Sequence, residues 1–178
     1  MNTKHEFWAR KKELNEDFYI SGSVISPATD ELIVVYEKSS GYIFSDDVKD
    51  FLRTFGSLQF EVKEEVWKRP AVGEVVTAWK LGYGFFIYGL CPNDEMPARM
   101  GYEENNNKVL EATEKPLGQL FFRRSGDRYR AYTHNAVISV EYGRDGGDLE
   151  TFDGNIYDFL IDQINVLEAD YLKYIQGN

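Results

Sequence analysis

The chain has 178 residues, 43% of them apolar and 15% aromatic, with 30 acidic against 20 basic side chains and a formal net charge of −10. That is material for one domain of ordinary size; it leaves too little length for two full-sized cores and excludes a disordered chain. The acidic surplus argues against DNA or RNA as the main partner, since phosphate affinity comes largely from Lys and Arg, and suits a basic protein partner better.

Along the chain, Thr3 and Glu6 have the spacing of a capping box, and Phe7 with Leu14 gives a sparse apolar stripe, which predicts a short, peripheral helix over about residues 4 to 16. A second helix is expected after Pro27, capped by Thr29 or Asp30, running through Leu32, Ile33, Val35 and Tyr36 to Gly41. The third has Ser45 as cap, Asp46 and Asp47 in its first turn, and Val48, Phe51, Leu52 and Phe55 on one face before Gly56.

From Ser57 the period changes to two: Leu58, Phe60 and Val62 alternate with Gln59, Glu61 and Lys63, as in a half-buried strand. Further strands are predicted at residues 74–80, 83–90, 118–124, 128–133 and 136–142, with tight hairpins at Ser125-Gly126-Asp127 and His134-Asn135. Residues 91 to 115 read as a long loop. A last helix from about Asp153 to Ile175 carries the stripe Ile156, Phe159, Leu160, Ile164, Leu167, Tyr171 and Ile175, capped by Thr151 or Asp153. The expected fold is α+β: a mostly antiparallel sheet of about five or six strands, with two or three N-terminal helices and a long C-terminal helix packed on it. No repeat or linker divides the chain, so residues 1–178 read as a single domain.

The residues carry no recognisable catalytic set. One cysteine, Cys91, excludes an internal disulfide, and with only His5 and His134 there is no Cys/His cluster for zinc. Cys91 reads as an inert thiol and His134 as a solvated turn residue rather than a general base. Gly82-Tyr83-Gly84 lacks the third glycine and following helix of a dinucleotide fingerprint and reads as a bend in a strand. No cofactor and no metal are expected. The first residues hold no apolar run of signal-peptide length, and nothing approaches the roughly 20 apolar residues of a membrane span, so a cytoplasmic protein without membrane contact is expected.

Charge is where the chain departs most from the ordinary. Between Glu141 and Asp170 stand nine acidic residues and one basic residue, Arg144. The Gly-rich stretch Asp145 to Glu150 lacks the alternating ligand spacing of an EF-hand. Both a solvated face and an electrostatic docking surface fit the pattern. On the second reading, Glu141, Asp145, Asp148, Glu150 and Asp153 are the candidate partner contacts. Trp67, in the polar stretch from Glu64 to Pro70, is a further candidate because it is expected to be partly exposed.

Two helical segments leading into Phe51-Leu52-Arg53-Thr54-Phe55-Gly56 resemble the opening of SUKH-superfamily domains, the group that includes yeast cell-wall assembly regulators and many bacterial toxin-immunity proteins. Gly126-Asp127-Arg128-Tyr129 resembles a late hairpin of such domains, and Thr151-Phe152 with Tyr157-Asp158-Phe159-Leu160 resembles their terminal segment. The resemblance covers about residues 29–172, leaving 1–28 as an N-terminal helical extension; Phe44-Ser45 stands where the family often has Leu-Pro. It implies an α+β domain that works by binding and has no catalytic centre of its own; a monomer or weak homodimer is expected. Bacterial members neutralise toxins, many of them nucleases, whose basic surfaces would match the acidic surplus. The eukaryotic members suggest a regulatory scaffold with a cellular partner instead, and a third reading is a metal-dependent hydrolase using the acids after Glu141.

Overall fold

The computed structural model describes residues 1–21, 27–90, 118–127, 129–143 and 148–177. Seven strands, β1 (Phe18–Ser21), β2 (Leu58–Val62), β3 (Gly84–Ile87), β4 (Gln119–Arg124), β5 (Tyr129–His134), β6 (Val137–Tyr142) and β7 (Leu149–Phe152), form one antiparallel sheet in chain order. Among the described residues four α-helices accompany it: α1 (Lys4–Glu13), α2 (Asp30–Ser40), α3 (Asp46–Phe55) and α4 (Ile156–Ile175). The α+β architecture with a long C-terminal helix is as expected, with seven strands among the described residues in place of five or six.

Alternation in the strands separates two faces of the sheet. Leu58, Phe60 and Val62 on β2, Phe85 and Ile87 on β3, Phe122 on β4 and Ala131 on β5 belong to one buried core with α1, α3 and α4. A register shift between Leu120 and Phe122 inserts Phe121. Phe121 packs on Phe159 of α4, with ring centroids 5.4 Å apart, while Leu120 joins Tyr88, Tyr132 and Phe86 in a small separate cluster. A bulge of this kind moves one residue to the other face without ending the strand.

The helices are pinned by local polar chemistry. Thr3 and Glu6 form the capping box of α1, and Thr29 Oγ1 caps α2 by accepting from Leu32 N at 3.2 Å. The cap of α4 is Asn155, not Thr151 or Asp153: its side chain accepts from Asp158 N at 2.9 Å, and Asp158 accepts in return from Asn155 N. Helix α1 is not peripheral. Phe7 is fully buried against Phe55 and Tyr157, and Arg10 reaches Glu168 of α4 at 2.5 Å. One inward aromatic and one cross-helix ion pair dock an otherwise polar helix.

Two strands and one false strand distinguish the observed topology from the expected one. β1 and β7 are short edge strands with weak burial alternation, which leaves little periodic signal in the sequence. Residues 74–80, expected as a strand, are an exposed loop followed by a 3₁₀ turn over Ala78–Leu81; Val75 is 99% exposed and pairs with no strand. Gly82 ends that turn and Gly84 opens β3, so both glycines stand at the entry to the strand instead of bending it. Gly89 marks a close approach of chain segments, since a Cβ there would lie 2.3 Å from the carbonyl oxygen of Gly56. The expected loop over 91 to 115, and Cys91 with it, lies outside the described residues.

Candidate functional site

The acidic region is divided by the fold into carboxylates with internal work and carboxylates facing solvent. Asp170 accepts from Arg124 at 2.8 Å, and the Arg124 side chain is fully buried with a second bond to the carbonyl of Gly82. Glu168 pairs with Arg10, and Asp158 accepts from the backbone N–H groups of Asn155 and Asn2. Burial opposes charge on Asp158, but these N–H groups and the terminal amine outweigh it and hold its carboxyl below the usual carboxylate range.

Glu141 belongs to the internal group. It sits opposite Arg130 on the sheet face away from the helices, is 4% exposed, and accepts from the phenol of Tyr132 at 2.7 Å. Burial first, and then this carboxylate, push the Tyr132 phenol well above its ordinary value. A side chain so enclosed supports the open sheet face; it is not a surface contact.

Asp148, Glu150 and Asp153 form the exposed group. Asp148 precedes edge strand β7, Glu150 lies within it, and Asp153 follows it; all three are exposed and make no ion pair among the described residues. Glu150 and the exposed Asp162 of α4 both act on Tyr142, whose phenol is raised by burial and then by these two charges. Tyr142 and Leu149 are themselves about half exposed, at 45% and 51%. The edge therefore presents solvated carboxylates interleaved with apolar surface, with Asp162 contributed across it by α4. Asp145 lies outside the described residues.

Trp67 corrects the expectation of exposure, for it is fully buried. Residues 63–67 close a turn, with Trp67 N donating to Lys63 O at 2.9 Å, and this swings the indole inward. There it stacks on Tyr174 of α4 at 4.5 Å and donates from Nε1 to the carbonyl of Lys80 at 3.0 Å. The polar neighbours in sequence point outward and conceal a residue whose packing partner is 107 positions away. His134 is exposed, with its ring edge-on to Tyr42 at 5.6 Å.

Sequence reasoning missed a second feature, a cleft of ≈ 200 Å³ on the face of the sheet away from the helices, bordered by Glu61, Phe86, Tyr88, Arg123 and Ser125. Its walls come from three strands and a turn, so no local motif announces it. Among the described residues, no group of three or more His, Cys, Asp or Glu side chains is placed to hold a metal ion, and no helix is long and apolar enough to cross a membrane. Compared with known proteins, the chain matches no family model, no curated protein and no solved structure.

Proposed function

We propose that this chain is a non-catalytic, cytoplasmic immunity protein of the SUKH kind, which neutralises a basic, nuclease-like toxin by docking on it through the β7 edge. The observation that carries the reading is the division of the acidic residues. Glu141, Asp158, Glu168 and Asp170 are used inside the fold, whereas Asp148, Glu150, Asp153 and Asp162 face solvent without an ion pair among the described residues. Like charges held together at an edge cost self-repulsion, which a cationic partner would relieve while being steered to the surface. Tyr142 and Leu149 supply the apolar contact that charge alone lacks.

A nuclease domain is the partner class that fits, since a surface that attracts phosphates also attracts this edge. The test is co-purification with the carboxy-terminal domain of a toxin encoded beside this chain's gene. A stoichiometric complex that abolishes the toxin's activity is expected. Failure of the two purified proteins to associate at micromolar concentration would overturn the reading.

A further inference from the structure

The outer side of β7 is an open row of backbone hydrogen-bonding groups. β7 ends the sheet, and its bonds to β6 follow from the turn that precedes β6. The two-residue turn Asn135-Ala136 makes His134 and Val137 a hydrogen-bonded pair, so the odd-numbered residues of β6 bond to β5 and the even-numbered ones to β7. Tyr142 N donating to Asp148 O at 3.4 Å continues the same alternation. Glu150, opposite Val140, and Phe152, opposite Ile138, are therefore bonded inward, while the N–H and C=O of Leu149 and Thr151 point away from the sheet. Among the described residues no strand pairs with them.

An edge of this kind is a template for another strand, and native sheets guard it with proline, a bulge, a covering segment or charge. β7 has no proline, and its register with β6 runs without a shift. Charge guards it, and that charge is negative: Asp148, Glu150 and Asp153 are all exposed. Two copies pairing edge to edge would set these carboxylates against one another, which cross-strand pairing penalises. A cationic strand meets no such barrier. Glu150 shares the helix side of the sheet with the core residue Val140, and there it and Asp162 of α4 both act on Tyr142. Leu149 and Thr151 stand on the open side, and beyond Thr151 the edge leads into a groove bordered by Val137, Phe152 and Asp153.

We propose that the partner adds an extended antiparallel strand to the outer side of β7, in which a Lys or Arg facing Glu150 alternates with apolar or β-branched residues facing Leu149 and Thr151. Strand addition rests on the reading of this edge as the toxin-docking surface and goes beyond it: charge steers the partner, and backbone bonds to Leu149 and Thr151 hold it. The position facing Glu150 falls between two hydrogen-bonded pairs, where cross-strand side chains approach most closely, so a cation there is matched by Glu150 with Asp162 on the same side of the sheet.

The test uses the full chain with the toxin domain encoded beside its gene and compares Thr151→Pro with Thr151→Val. Proline removes the outward N–H at a position where an edge strand tolerates it; valine keeps both the N–H and the β-branched shape. Thr151→Pro is expected to weaken the complex by about tenfold or more, and Thr151→Val by less than about threefold. Amide hydrogen exchange in the unaltered chain decides the matter if Thr151→Pro perturbs β7: the amides of Leu149 and Thr151 should exchange at least about tenfold more slowly in the complex than in the free chain. A complex that leaves both amides unprotected, or equal affinity of the two variants, would overturn strand addition and leave edge docking standing. Failure of the unaltered chain to bind would overturn both. Protection of the same amides in the chain alone, rising with its concentration, would put a second copy on the edge and overturn the cationic strand.

Discussion

At the β5–β6 turn, Asn135 and Ala136 both have positive φ, 47° and 67°, as a two-residue hairpin of this hand demands. Asn tolerates that region; Ala does not, because its Cβ crowds the carbonyl. Ala136→Gly relieves this strain at the cost of some unfolded-chain entropy, and is expected to stabilise the protein by about 0.5 kcal/mol, read as a higher urea midpoint at unchanged slope. The opposite sign belongs to Asp170. Its carboxylate is a charged partner of the wholly buried Arg124, so Asp170→Asn removes an ion pair made by a cation in the core. A loss of about 3 kcal/mol is expected in the same measurement, far more than a surface acid would give. Asp170 is one of nine acids counted in the anomalous stretch, and nothing in the sequence distinguishes it from Asp162, since its partner lies 46 positions away on β4.

Elements were legible where burial is periodic and the chain supplies its own punctuation. Val48, Phe51, Leu52 and Phe55 of α3 are all buried, as their spacing demands, and Gly56 ends the helix as expected. In α4 the stripe from Ile156 to Tyr171 is buried as predicted, while Ile175, beyond it, is half exposed. β7 was illegible for the converse reason: Leu149, Glu150 and Thr151 are all exposed, so an edge strand held by backbone pairing to β6 leaves no alternation to read. The same limit applies to the candidate site. The accumulation of acid was visible, but its division into internal and solvated carboxylates depends on partners distant in sequence.

The junction of the N-terminus with α4 carries its own pH dependence. Asp158 joins Asn155 and Asn2, while Asp50 of α3 accepts from Lys4 at 2.8 Å and Tyr157 at 2.5 Å. Burial raises the Asp50 carboxyl, but these bonds outweigh it and hold it below its ordinary value. A carboxyl depressed in the folded state contributes stability that is present above the unfolded value, about 4, and lost as pH falls through the folded one. Urea midpoints measured from pH 6 to pH 2 should therefore decline below about pH 4. The decline should be shallower in Asp158→Asn; an identical slope would remove Asp158 from this linkage.

Over the whole molecule, the sheet separates three environments: a core under α1, α3 and α4, an open face with its own small cluster around Tyr132, and an acidic edge at β7. The acids after Glu141 thus divide into one part engaged inside the fold and another at the edge. Only the second part can act on a partner at a distance. Charge reversal at the edge should leave stability almost unchanged, in contrast to Asp170→Asn, because no internal bond is lost. The most direct measurement is the association rate of the Asp148→Lys, Glu150→Lys, Asp153→Lys triple variant with the neighbouring toxin domain, recorded across ionic strength beside the unaltered protein. Docking through the β7 edge predicts association at least about tenfold slower at low salt, with a much flatter salt dependence and an unchanged urea midpoint. An association rate and salt dependence equal to those of the unaltered protein would contradict it.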